Sequence, residues 1–65
     1  MKYYINCKEK KTGRIYGTLL KNGRFERYFG FNEARYFSDM KDAISWIQKH
    51  KPCTGEEYTI GKWED

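Results

Sequence analysis

The chain has 65 residues, with thirteen Lys or Arg against nine Asp or Glu, a formal charge of +4, 18% aromatic side chains and a mean hydropathy of −1.02. A chain this short buries only about 60% of the surface its unfolded form exposes, which excludes a second core and a deep enclosed active site. Apolar runs stay short and no cationic segment precedes a hydrophobic stretch, so the expectation is a soluble, unexported, cytoplasmic protein with no membrane partner.

In chain order, Lys2 to Lys8 alternates, with Tyr3, Ile5 and Cys7 on one side and Lys2, Tyr4, Asn6 and Lys8 on the other, which predicts a strand with one buried face. The polar run Glu9 to Gly13 ends in a glycine able to take positive φ and predicts a turn. Arg14 to Leu20 then reads as a second strand.

Asn22-Gly23 is the strongest short-range signal, because a two-residue type I′ turn needs positive φ at both central positions. That turn predicts Leu20 opposite Phe25, Thr18 opposite Arg27, Tyr16 opposite Phe29, and Lys21 and Arg24 as a like-charge pair flanking the bend. One face of this hairpin holds Tyr16, Thr18, Leu20, Phe25, Arg27 and Phe29; the other holds Ile15, Gly17, Leu19, Glu26 and Tyr28. The greater aromatic content favours Tyr16, Leu20, Phe25 and Phe29 as the inner set.

From Asp39 the period changes: Met40, Ala43, Ile44 and Ile47 fall on one helical stripe, widened by Trp46. Ser38 or Asp39 caps its start, Lys49, His50 and Lys51 suit its end, and Pro52 stops it. Glu57 to Trp63 alternates again as a last strand. No repeat or linker divides the chain, so residues 1–65 read as one domain. The expected fold is α+β, a two-layer β-β-β-α-β arrangement in which an antiparallel sheet of three to four strands packs on one helix and leaves its other face open.

Chemistry is sparse. His50-x-x-Cys53, even with Cys7, supplies too few ligands for a structural zinc site, so no metal and no cofactor are expected. Two distant cysteines suit a reduced compartment and read as half-buried thiols. His50 reads as a helix cap, the acid pairs Asp39/Asp42 and Glu56/Glu57 as a helix start and an exposed loop, and the scattered glycines as turn residues, so the chain is not expected to be an enzyme.

Charge is uneven: residues 1–31 hold eight Lys or Arg against two acids, whereas residues 32–65 hold five against seven. Cations at the bends with interleaved aromatics suit nucleic acid. The candidate contacts are Lys10, Lys11, Arg14, Lys21, Arg24 and Arg27, with Tyr4 and Tyr28 as stacking surfaces.

Tyr4-Ile5 and Thr12-Gly13-Arg14-Ile15-Tyr16-Gly17 resemble in part the opening hairpin of GIY-YIG nucleases. No glycine precedes Tyr4 and no isoleucine separates Tyr16 from Gly17, which excludes that activity. The region Gly13 to Gln48, with Ala34-Arg35-Tyr36-Phe37-Ser38 leading into Asp42-Ala43-Ile44-Ser45-Trp46-Ile47, is similar to the arm-site DNA-binding domains of phage integrases. It is similar too to small phage and prophage accessory (orphan) proteins that have a sheet, a helix entry of this type and a closing strand. The first resemblance implies a sheet laid in a DNA groove. The second implies an inhibitor or regulator of a host or defence protein, so the expected partner is nucleic acid or a host protein.

Overall fold

The computed structural model describes residues 1–64. Its elements are strands β1 (Lys2–Glu9), β2 (Ile15–Leu19) and β3 (Phe25–Glu26), a 3-10 turn (Phe31–Glu33), helix α1 (Met40–Lys49) and strand β4 (Glu56–Trp63). The fold is α+β in the order β-β-β-α-β, and the sheet order is β3-β2-β1-β4, antiparallel throughout. Among the described residues no helix is long and apolar enough to cross a membrane.

β1 is central. Its alternation sends Ile5 and Cys7 into the interior, while β4 pairs with it from Lys2↔Trp63 to Glu9↔Glu56. Paired residues share a face, so Ile60 and Tyr58 join Ile5 and Cys7 under the helix. The core is Ile5, Leu19, Phe37 and Ala43, with Tyr3, Phe25, Trp46, Ile47, Tyr58 and Ile60 packed around it.

The helix is capped by Asp39, whose Oδ1 accepts the Lys41 amide at 3.1 Å, and it closes on His50, whose amide donates to the carbonyls of Trp46 and Ile47. The His50 ring stacks on Trp46 with centroids 4.2 Å apart, and its Nδ1 lies 2.9 Å from the Trp46 carbonyl oxygen. The expected stripe needs correction: Ala43 and Ile47 face the sheet, but Met40 and Ile44 remain 44% and 43% exposed. Phe25 stacks on Tyr58 at 5.4 Å and meets the edge of Trp46 at 6.0 Å. This aromatic cluster rolls the helix toward Trp46 and lifts the Met40/Ile44 flank off the sheet.

The second hairpin departs from the expected register by one residue. Leu19, rather than Leu20, lies opposite Phe25, and Thr18 opposite Glu26. Gly23 alone takes positive φ, +86°, while Asn22 does not, and the Gly23 amide donates to the Leu20 carbonyl at 2.9 Å. The loop is therefore three residues, Lys21 to Gly23, with glycine in the left-handed position, the alternative that an Asn-Gly pair also serves. Such a slip exchanges faces. Gly17 and Leu19 are buried and Phe25 half-buried on the helix side, whereas Tyr16 and Phe29, expected inside, are 41% and 36% exposed.

Two further details complete the correction. β3 ends at Glu26, so the pairings Thr18 with Arg27 and Tyr16 with Phe29 do not form. Tyr16 is the extra residue of a bulge, since Cys7 pairs with Gly17 and Lys8 with Ile15. The first turn follows expectation, with Gly13 at φ +74°.

Residues 34–37 lace the two central strands together. Ala34 bridges Leu20 and Phe37 bridges Tyr3, the latter through two reciprocal 2.8 Å hydrogen bonds. Nothing in the alternation of Ala34-Arg35-Tyr36-Phe37 announces a strand. The segment nevertheless satisfies backbone groups where β1 and β2 part, and it anchors the chain that crosses the other sheet face.

Candidate binding surface

The register places Lys2/Trp63, Tyr4/Gly61, Asn6/Thr59/Thr18 and Lys8/Glu57 together on the face turned away from the helix. The bulge adds Ile15 to them, because it restores the alternation with Ile15 opposite Lys8. Tyr4 lies across Gly61: a Cβ there would fall only 2.2 Å from the Tyr4 ring, so the glycine is the seat of that ring.

Segment 29–36 walls this face. The result is a 280 Å³ concavity lined by Tyr4, Asn6, Ile15, Thr18, Phe29, Ala34, Tyr36 and Trp63. Phe31 stands at its rim, 5.1 Å from Trp63 edge-on and 5.5 Å from Tyr36, centroid to centroid. The Lys2 ammonium sits 5.5 Å from the Phe31 ring and 5.2 Å from that of Tyr36, within cation–π range. On the floor the Thr18 hydroxyl donates to Asn6 Oδ1 at 2.6 Å.

The six expected cations fall into separate groups. Lys10 and Lys11 occupy the first turn and Arg14 precedes β2, whereas Lys21 opens the second turn and Arg24 directly follows it at the strand's other end. At about 3.3 Å per strand residue, Arg14 and Lys21 stand about 20 Å apart. Arg27 lies between β3 and the 3-10 turn. All six are exposed, and among the described residues the ion pairs are Lys8–Glu57 at 3.3 Å and Lys62–Glu64 at 3.4 Å, which involve none of them.

Their surroundings differ. At the first turn the Glu9 carboxylate accepts from the hydroxyls of Thr12 at 2.6 Å and Tyr16 at 3.0 Å. These bonds, with the Arg14 charge as a lesser cause, hold the Glu9 pKa below its ordinary value, and the same contact raises that of Tyr16. At the second turn Lys21 shares a shallow depression with Glu26 and Glu33, so this end is the less positive. The expected confrontation of Lys21 with Arg24 is relieved by the longer loop: the Leu20 amide donates to the Arg24 carbonyl, which puts Leu20 opposite Arg24.

Of the two aromatics expected to stack, Tyr28 is 88% exposed and Tyr4 is half-buried in the concavity. Trp63, Phe31, Tyr36, Phe29 and Lys2 belong to the same surface and were not expected there. The alternation of Tyr4 against Ile5 and of Gly61 against Ile60 contained part of that signal. The wall contributed by residues 29–36 had none.

The thiols differ from expectation too: Cys7 is buried and Cys53 exposed. Burial, followed by a 3.5 Å hydrogen bond to Glu56, pushes the Cys7 pKa up to about 11. Such a thiol stays neutral near pH 7 and is a poor nucleophile. Tyr58 beside it is raised as well, chiefly by burial. Among the described residues no three His, Cys, Asp or Glu converge in an arrangement that could hold a metal ion.

Compared with known proteins, the chain matches no family model, and neither curated proteins nor solved structures give a significant match.

Proposed function

We propose that this chain is a non-enzymatic, cytoplasmic binding module of phage accessory type that engages an anionic macromolecule, nucleic acid first. The observation that carries this reading is the set of exposed cations, Lys10, Lys11, Arg14, Lys21, Arg24 and Arg27, none of which is ion-paired to a carboxylate among the described residues. Cations without internal partners are available to phosphates, and each phosphate neutralised releases condensed counterion. Lysine and arginine positions at both ends of a sheet suit a strand-like polyanion better than a point charge.

Fluorescence anisotropy of a labelled oligonucleotide between about 50 and 200 mM salt tests it. If all six cations meet phosphates of a single strand, log K falls with log salt at a slope of about −4, from about 0.7 per contact. Replacing Lys10, Lys11 and Arg14 together by Gln should roughly halve that slope. A flat salt response overturns the reading.

A second reading, a protein-binding inhibitor or regulator of a host or defence protein, is favoured by Tyr28 and Phe31, 88% and 53% exposed. Exposed aromatics of this kind anchor protein interfaces. Capture of one host protein at stoichiometric yield, unchanged by nuclease and lost with Tyr28→Ala, would support it over the first.

A further inference from the structure

Resting on the nucleic-acid reading, we propose that the concavity on the sheet face opposite the helix receives an unpaired nucleobase, so that the ligand is bound single-stranded. The cations of the turns alone would suit any polyanion. What distinguishes a single strand is the surface between them.

Three features of that surface converge. It is aromatic: Tyr4, Phe29, Tyr36 and Trp63 line one 280 Å³ hollow and Phe31 stands at its rim. Ring faces stack on bases irrespective of sequence, since every base has a π-face. Phe31 and Trp63 remain 53% and 44% exposed and meet edge-on, so neither ring is stacked face to face on the other. Polar atoms lie on its floor, where Asn6 and Thr18 offer amide and hydroxyl groups of the kind that bond the edges of splayed-out bases.

Charge completes the fit. Lys2 is held over the Phe31 and Tyr36 rings and makes no ion pair among the described residues, so its ammonium places a positive charge at the rim of the hollow, available to the phosphate of a nucleotide whose base enters it. Ile15 and Thr18 of its lining lie on β2, and Arg14 and Lys21 stand beyond the two ends of that strand, so a ligand crossing the hollow along β2 would meet a cation at each end. A duplex presents phosphates and groove edges to a protein, and the faces of its paired bases stay stacked inside, so a hollow lined by rings has nothing to stack on in a duplex.

The test compares a single strand of about twelve nucleotides, within the range that single-strand domains cover, with the same oligonucleotide annealed to its complement. Anisotropy at low salt should show the single strand bound at least tenfold more tightly. Trp63→Ala and Phe31→Ala should each weaken single-strand binding about 5- to 100-fold, as loss of one stacked base does, with an unchanged salt slope and unchanged duplex binding. Trp63→Phe, which keeps a ring, should restore most of the affinity, and thermal unfolding of each variant separates lost stacking from lost folding. Equal affinity for both ligands, with Trp63→Ala as tight as the parent, overturns the single-strand assignment and leaves the nucleic-acid reading standing. Absence of binding to either oligonucleotide removes that reading and this inference together.

Discussion

Gly17 sits in the middle of β2 and is buried, yet its φ is not in the left-handed region. By backbone entropy alone, Gly17→Ala would stabilise the protein by about 0.4–1 kcal/mol. The structure reverses that sign. An added Cβ would lie 2.6 Å from Glu26 N, 2.7 Å from its carbonyl carbon and 2.9 Å from its Cα. These are main-chain atoms with no rotamer to escape into, so β3 itself would have to move. β3 pairs with β2 through Thr18↔Glu26 and Leu19↔Phe25, and displacing it draws Phe25 off the Tyr58 ring it stacks on and away from the edge of Trp46. Overpacking of this kind costs about 1–3 kcal/mol. For a domain of this size, whose total stability is about 3–10 kcal/mol, a loss of 2 kcal/mol lowers Tm by about 8–16 °C. Thermal and urea unfolding followed by circular dichroism measure it. A Tm equal to or above that of the parent would refute the close approach of β3 to β2, and with it the placement of Arg24 and Arg27.

Three other outcomes are expected. Cys7 ionises near 9.0 when unfolded but near 11 in the folded state, so the unfolded chain loses its proton first; stability is intact below pH 9 and declines as pH rises toward about 11. Cys7→Ala should flatten that decline in pH-dependent urea titrations, and a thiol reagent at pH 8 should modify Cys53 well before Cys7. Asp39→Ala removes the cap on the Lys41 amide and should cost about 0.5–2 kcal/mol by urea unfolding, whereas Asp39→Ser should recover most of it. Gly61→Ala collides with the Tyr4 ring, a movable side chain, so it should destabilise less than Gly17→Ala; combining it with Tyr4→Ala should relieve the clash, giving a coupling measurable in a double-mutant cycle.

Local chemistry alone made much of the fold legible. Alternation of Tyr3, Ile5 and Cys7 and of Tyr58 and Ile60 identified two strands, and Asp39, His50 and Pro52 bounded the helix. The second hairpin was not legible, because Asn22-Gly23 serves both a two-residue and a three-residue loop, and both hairpin faces carried enough apolar surface to be buried. Of the candidate contacts, the cations of the turns were visible as charge beside turn residues. The rest of the surface depends on pairings remote in sequence: Lys2 meets Trp63 only across the β1–β4 ladder, and Tyr36 arrives only because Phe37 bridges Tyr3.

The residues by themselves determined the kinds of element, their order and the excess of positive charge near the bends, since periodicity, capping and charge act over a few neighbours. Tertiary packing decided the register of β2 with β3, the roll of the helix toward Trp46 and the aromatic hollow opposite it. Each of these is a choice between local alternatives of similar free energy, settled by which arrangement brings Leu19 and Phe25 under the helix beside Trp46 and leaves Gly17 where the backbone of Glu26 needs the room.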